Sequence, residues 1–203
     1  MYSIDESTGP KVKYIQAGIQ ENLTLVSILR ENSKEDGSGK QVLRFHFSNA
    51  ADETFTHTEF PIDAEQLKTL AKGWSGADPD TVVKQAFEDL GARVKHILGA
   101  FLPEDVIKIN AAGWEDYCDK VVALAGDLYK DLKVRLKIVL NNKDYTILPK
   151  KTITDFIQPM DVPNTLKITK YDRIIEKAPT AESQYGDDDG TGDAGDDVFE
   201  DEF

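Results

Sequence analysis

KVRLKIVL, residues 133–140, sets Val134, Leu136 and Ile138 on one side and Lys133, Arg135 and Lys137 on the other. A period of two belongs to an extended strand, whose successive side chains point to opposite faces. Its place in the chain matters as much as its pattern, because everything between residue 63 and this stretch has a helical period. Upstream of that helical block, three segments read as strands. NLTLVSILR (22–30) is rich in aliphatic and β-branched residues. QVLRFHFS (41–48) alternates Leu43, Phe45 and Phe47 with Arg44, His46 and Ser48. TFTHTEF (54–60) alternates likewise and is closed by Pro61. SKEDGSGK (33–40) has the Gly and Asp content of a hairpin loop between the first two.

In the middle, Asp63 can cap AEQLKTLAKGW, and Asp80 or Pro79 can start a helix carrying Val82, Val83, Phe87, Leu90, Val94, Ile97, Leu98 and Phe101 at helical spacing. Trp114 to Leu132 forms a third amphipathic segment. Beyond residue 140, NNKD supplies a tight turn, DYTILPK and TITDFIQ continue as strand, and LKIT (166–169) reads as a further strand. Three strands, helices and two or more strands give an α+β class. The order matches the OB-fold, a small Greek-key β-barrel that binds oligonucleotides through its strand 2–3 face and its loops 1-2 and 4-5. Those loops would be 33–40 and 141–144, with a large helical insertion at about 62–132. The expected organisation is one OB-fold-like antiparallel barrel domain, 1–177, followed by a disordered acidic tail, 178–203.

The 203-residue chain carries 37 acids, 24 Lys and Arg, and one cysteine, Cys118. About 175 residues before the tail are ample for a core. A single cysteine rules out a disulfide framework and a Cys-based zinc site, so a reducing compartment is expected. MYSIDESTGP lacks the basic and apolar runs of a secretory signal, and no stretch reaches the roughly 20 apolar residues of a membrane span. A cytoplasmic protein with no membrane association and no cofactor is the expectation.

Charge is segregated. The tail holds ten acids and no base, which leaves 27 acids against 24 bases in the body. Residues 132–177 hold ten bases against five acids, whereas 63–132 hold eight bases and thirteen acids. On the 133–140 strand the three cations lie about 6.6 Å apart, close to the repeat of an extended phosphate backbone. They read either as a solvated outer face or as a polyanion groove. Lys150 and Lys151 extend the basic stretch past the second loop. Single-strand binders add aromatic platforms on which bases stack. Phe55, Trp74 and Tyr145 are the candidates, with Arg44 and His46 on the polar face of their strand; core packing is the competing fate of each ring.

The tail ends DDVFEDEF. Phe199 and Phe203 stand among Asp196, Asp197, Glu200, Asp201 and Glu202, an arrangement fitted to a partner surface with a basic rim and an apolar pocket. A chain of 26 residues spans roughly 28 Å, against a body radius of gyration of about 16 Å, so the tail can reach its own basic groove.

Acidic tail, terminal Phe and strand order together resemble the single-stranded DNA-binding proteins, above all those of tailed bacteriophages. AGIQENLTLVSI (17–28) and HTEFP (57–61) are similar to the first and third strands of those phage proteins. Bacterial members usually end in Pro-Phe, where this chain ends Glu202-Phe203. The resemblance implies a non-enzymatic protein that coats single-stranded DNA in replication, recombination and repair. Its tail would recruit a polymerase or helicase in the bacterial host cytoplasm, and a homo-oligomer is compatible with it. Two alternatives stand beside it. A metal-dependent nuclease would use His46 and His57 with Asp52 and Glu59, although no HExxH, P-loop or G-x-S-x-G is present. An acidic adaptor or DNA mimic would not bind DNA at all.

Overall fold

The structure, a computed structural model, describes residues 13–33, 39–150 and 155–175. Three strands come first: β1 (Gly18–Asn32), β2 (Gln41–Ser48) and β3 (Thr54–Glu59). Three helices follow, α1 (Ala64–Ala71), α2 (Pro79–Gly99) and α3 (Trp114–Ala125), and then β4 (Lys133–Leu140), β5 (Thr146–Ile147) and β6 (Ile157–Pro159). The α+β class, the three leading strands and the helical block between β3 and β4 are as expected.

Local chemistry fixes the helix ends. Asp63 accepts a hydrogen bond from the Gln66 N–H at 2.9 Å and caps α1. Asp78, rather than Asp80 or Pro79, caps α2, accepting from the Thr81 N–H at 3.0 Å, and Pro79 occupies the first turn, where its missing N–H has no partner to lose. The third amphipathic segment stops at Ala125 instead of running to Leu132, because Gly126 takes φ 51° and turns the chain out of the helix.

All strand pairs are antiparallel, in the order β3-β2-β1-β4-β5, with β6 also on β4. β1 is 15 residues long and serves two partners. Its first part pairs with β4 (Gly18↔Ile138, Thr24↔Lys133) and the rest with β2 (Thr24↔Ser48, Asn32↔Gln41). Register breaks between Gln20 and Leu23 and between Leu25 and Ser27, with Asn22 at φ 59°, bend it from one neighbour to the other. Inward side chains of the sheet, Leu23, Leu25, Phe45, Phe47, Phe55, Val134 and Leu136 among them, form one core with Leu90, Val94, Ile97 and Leu98 of α2 and Cys118 and Val121 of α3.

The sheet is open. No ladder joins β3 to β5 among the described residues, so the closed barrel expected from the strand order is corrected to an open sheet. Two causes are visible. β5 is only two residues long, and the β3 edge is met at its start by the incoming chain, where the Ile15 N–H donates to Thr54 O (3.0 Å) and the Thr54 N–H to Lys13 O (2.9 Å). The strand expected at 166–169 is also absent. That segment belongs to a strap, residues 160–173, held by side chains: Asn164 Oδ1 accepts from the Leu166 N–H and Asp172 Oδ2 from the Thr169 N–H.

The strap changes the fate of the cations on β4. Lys133, Arg135 and Lys137 do share one face, opposite buried Val134, Leu136 and Ile138. That face is covered. The Arg135 side chain, 11% exposed, pairs with Glu21 at 2.9 Å and donates to the carbonyls of Pro159, Met160 and Val162. Lys137 is 1% exposed and its ammonium meets Asp172 at 3.1 Å and the Lys167 carbonyl at 3.3 Å. Lys133 stays exposed, donating to Thr24 Oγ1. The expected row of solvated cations is therefore corrected to one exposed lysine and two cations that hold the strap down.

Burial pushes the Asp172 carboxyl up, but the Thr169 N–H and the Lys137 ammonium outweigh it and hold it below the ordinary 3.8. A depressed folded-state value means that the pair stabilises fully above that pH and ceases to as pH falls through the lower folded value. Lys137→Ala should cost about 3–5 kcal/mol in urea unfolding at pH 7, because it strands a buried charge. Lys137→Met with Asp172→Leu should restore most of that loss, and the Lys137→Ala deficit should shrink on acidification.

Candidate nucleic-acid interface

β3 alternates Thr54, Thr56 and Thr58 on its outer face with Phe55, His57 and Glu59 on its inner one, and the inner three are buried. An apolar ring can be buried freely; a carboxylate cannot. Glu59 is met on three sides. Arg93 of α2 donates through Nε to Oε1 (2.7 Å) and through Nη2 to Oε2 (2.8 Å), and His57 Nε2 lies 3.0 Å from Oε1. Burial pushes the Glu59 carboxyl up, and these hydrogen bonds and charges more than reverse it, leaving it below 4.5. The third arm of Arg93, Nη1, donates to the Lys150 carbonyl at 2.8 Å. One guanidinium thus spaces β3 from the segment after β5.

The space so held open is a cleft of about 1470 Å³. One wall is β3 and its continuation through Phe60, Pro61 and Ile62; another is α2 at Ala86, Asp89, Leu90 and Arg93; the facing lip is 140–150. Three rings in it are left in water: Tyr14 at 65% exposure, Phe60 at 43% and Tyr145 at 66%. Lys143 and Lys150 are its exposed cations. Glu59 is matched by Arg93, and Asp144 by Arg173, which leaves the two lysines against Asp89. The lip is a preformed turn: Asn141 Oδ1 accepts from the N–H groups of Lys143 (2.8 Å) and Tyr145 (3.0 Å), and Asp144 sits at φ 62°.

Of the residues singled out in the sequence, Tyr145 and Lys150 stand in this cleft, and Phe55 contributes only a buried wall, packed on Phe47 with ring centres 6.1 Å apart. Phe55 as a stacking platform is thereby corrected: its face of β3 is the core face. Arg44 and His46 lie on the opposite, outer face of β2, where Arg44 pairs with Glu31 and His46 Nδ1 lies 2.9 Å from Thr56 Oγ1. Trp74 is exposed in the turn between α1 and α2, away from the cleft lining. Lys133, Arg135 and Lys137 are on the strap side of β4. Lys151 and the tail residues Asp196, Asp197, Phe199, Glu200, Asp201, Glu202 and Phe203 lie outside the described residues.

Tyr14, Phe60 and Lys143 also line the cleft and were not among the site residues singled out in the sequence. For Phe60 the signal was present, since it follows the last β3 residue and precedes Pro61, where a ring leaves the ladder. His46 and His57, drawn together as a metal pair, point to opposite faces of the sheet, and no group of three or more His, Cys, Asp or Glu that could hold a metal ion occurs among the described residues. The Cys118 thiol is buried and pushed up to about 11, far from a nucleophile's range. No helix among the described residues is long and apolar enough to cross a membrane.

No family model, no curated protein and no solved structure matches this chain.

Glu59→Gln should destabilise the protein by about 3 kcal/mol at pH 7, since it leaves the Arg93 charge unmatched. Because the Glu59 value is depressed, its contribution is present above pH 4.5 and is lost as pH falls through the folded value. Denaturation curves of wild type and variant should converge in acid.

Proposed function

We propose that this protein binds single-stranded DNA in the cleft between β3 and the 140–150 lip, and that its acidic tail competes for that cleft and recruits replication partners. The observation that carries the reading is the cleft's lining: three water-exposed rings and two free-standing lysines around a space of about 1470 Å³. A small-molecule pocket is typically about 300–1,000 Å³; this one is larger, which suits a polymer. Rings exposed in such a trough gain about 1–3 kcal/mol each when a base stacks on them, whatever the base. Lysines beside them supply the phosphate contacts.

The strand order supports an OB-type reading of the sheet. In that fold β1 lies between β2 and β4, and the strand 2–3 face and loop 4-5 carry the ligand; here the cleft is walled by β3 and by the β4–β5 turn. Bases strung along the cleft would stack on Tyr14, Phe60 and Tyr145, with Lys143 and Lys150 meeting the backbone. The protein would hold the strand extended and change no covalent bond. Arg173, two residues before the last described one, donates to the Asn141 carbonyl on the lip. The strap thus comes to the lip two residues before the described chain ends, which favours competition between the carboxylates beyond it and phosphate. Coating of single strands in phage replication, recombination and repair, and docking of a polymerase or helicase by the tail, follow from the same reading.

Fluorescence anisotropy of labelled oligo-dT and a matched duplex over a salt series tests it. A single-strand preference is expected, with affinity falling as salt rises. Tyr145→Ala should weaken oligo-dT binding about 5- to 150-fold. Lys143→Ala and Lys150→Ala should each flatten the log–log salt slope by about 0.7. Deleting 178–203 should tighten binding. Absence of oligo-dT binding by the tail-deleted protein at low salt would refute the reading.

A further inference from the structure

Two arginines, one in the cleft wall and one outside its lining, hold the lip by its ends. Arg93 comes from α2 and donates to the Lys150 carbonyl at 2.8 Å; Arg173 comes from the strap and donates to the Asn141 carbonyl. The strap backbone adds a bond at the same end, from the Leu140 N–H to Arg173 O at 2.7 Å. Between the two anchors lie Lys143, Tyr145 and Lys150, the groups a nucleic-acid strand would meet. Each guanidinium is already matched by a carboxylate, Arg93 by Glu59 and Arg173 by Asp144, and both side chains are largely covered. They have little charge left to offer a phosphate.

We infer that Arg93 and Arg173 are positioning residues for strand binding: they set the 141–150 lip at a fixed distance from the β3 wall so that Tyr145 and the two lysines are ordered before a strand arrives. The inference rests on the strand-binding reading above. Its physical basis is pre-organisation. The 141–145 turn is stiff within itself, through the two bonds to Asn141 Oδ1, but those bonds do not fix where the turn stands relative to β3. Thr146 and Ile147 pair with β4 and Leu148 is buried in the core, which seats the middle of the lip, and the arginines add the contacts that fix its two ends. Without a clamp, the ordering of the lip is charged to binding instead, at about 0.5–1.5 kcal/mol per immobilised side chain.

A positioning role and a phosphate-contact role separate by salt. Loss of a phosphate contact removes released counterions and flattens the salt slope; loss of order lowers affinity equally at every salt concentration. Arg173→Gln is the first variant, since its site is only partly buried. Arg93→Lys is the second: it keeps a cation beside Glu59, but an ammonium cannot grip both carboxylate oxygens and also reach the Lys150 carbonyl in the guanidinium's planar geometry.

Full-length wild type and both variants are titrated with labelled oligo-dT across a salt series, and amide hydrogen exchange is followed in each without DNA. Affinity about 5- to 20-fold weaker at every salt, with parallel slopes, is expected, together with faster exchange confined to 141–150. Wild-type affinity in both variants, a slope flattened as in Lys143→Ala, or faster exchange throughout the core strands would each overturn the positioning role. If wild type itself ignores oligo-dT, the strand-binding reading fails, and the exchange pattern alone then decides whether the arginines hold the lip.

Discussion

Glu59 ends β3 with its carboxylate out of water, and a charge there persists only where donors surround it. The guanidinium that grips both its oxygens is on α2, 34 residues along the chain. That requirement locks α2 against β3 in one rotation, because Arg93 must present its Nε and Nη2 together to the two carboxylate oxygens. The same guanidinium then has an arm left over, which takes the Lys150 carbonyl. A single buried ion pair thus relates three elements that are far apart in sequence. The cleft is the gap it leaves between them.

A second buried pair works on the opposite side of the sheet. Lys137 and Asp172 pin the strap across β4, so that from Leu136 to Leu140 every residue of this strand is buried, on both faces. Strands covered on both faces are usually apolar throughout, and here one lysine and its partner stand in for apolar packing. The strap in turn brings Arg173 to the lip. The two ion pairs therefore meet at the same loop, one from α2 and one through the strap, and the lip's position reflects both.

Much of the frame was legible from residue patterns. QVLRFHFS and KVRLKIVL are strands over the same residues that their alternation marked, and the helical block falls between β3 and β4. What alternation cannot show is what lies over a strand's second face. The Lys133, Arg135 and Lys137 row is visible in sequence, but the strap that buries two of its members arrives from 160–173 and carries no periodic signal. TFTHTEF posed the converse difficulty. A face bearing Phe55, His57 and Glu59 looks half polar until Arg93 is known to meet it, so Phe55 was read as a candidate platform rather than as core. Tyr145 and Lys150, picked out beside the second loop, do line the cleft, because loop positions leave side chains in water. Tyr14 was not picked out, because its place beside β3 depends on two backbone hydrogen bonds of Ile15 and Thr54 that no pattern encodes.

The cleft's role is tested most directly by photo-crosslinking. Oligo-dT carrying photoreactive thymidines is irradiated with the full-length protein, and the adducted peptides are identified by mass spectrometry. If the cleft holds the strand, adducts should concentrate on Tyr14, Phe60 and Tyr145 and should fade when unlabelled oligo-dT competes. Adducts confined to the outer face of β2 around Arg44 and His46, or to the strap around Tyr171, with the three cleft rings unmodified, would contradict it.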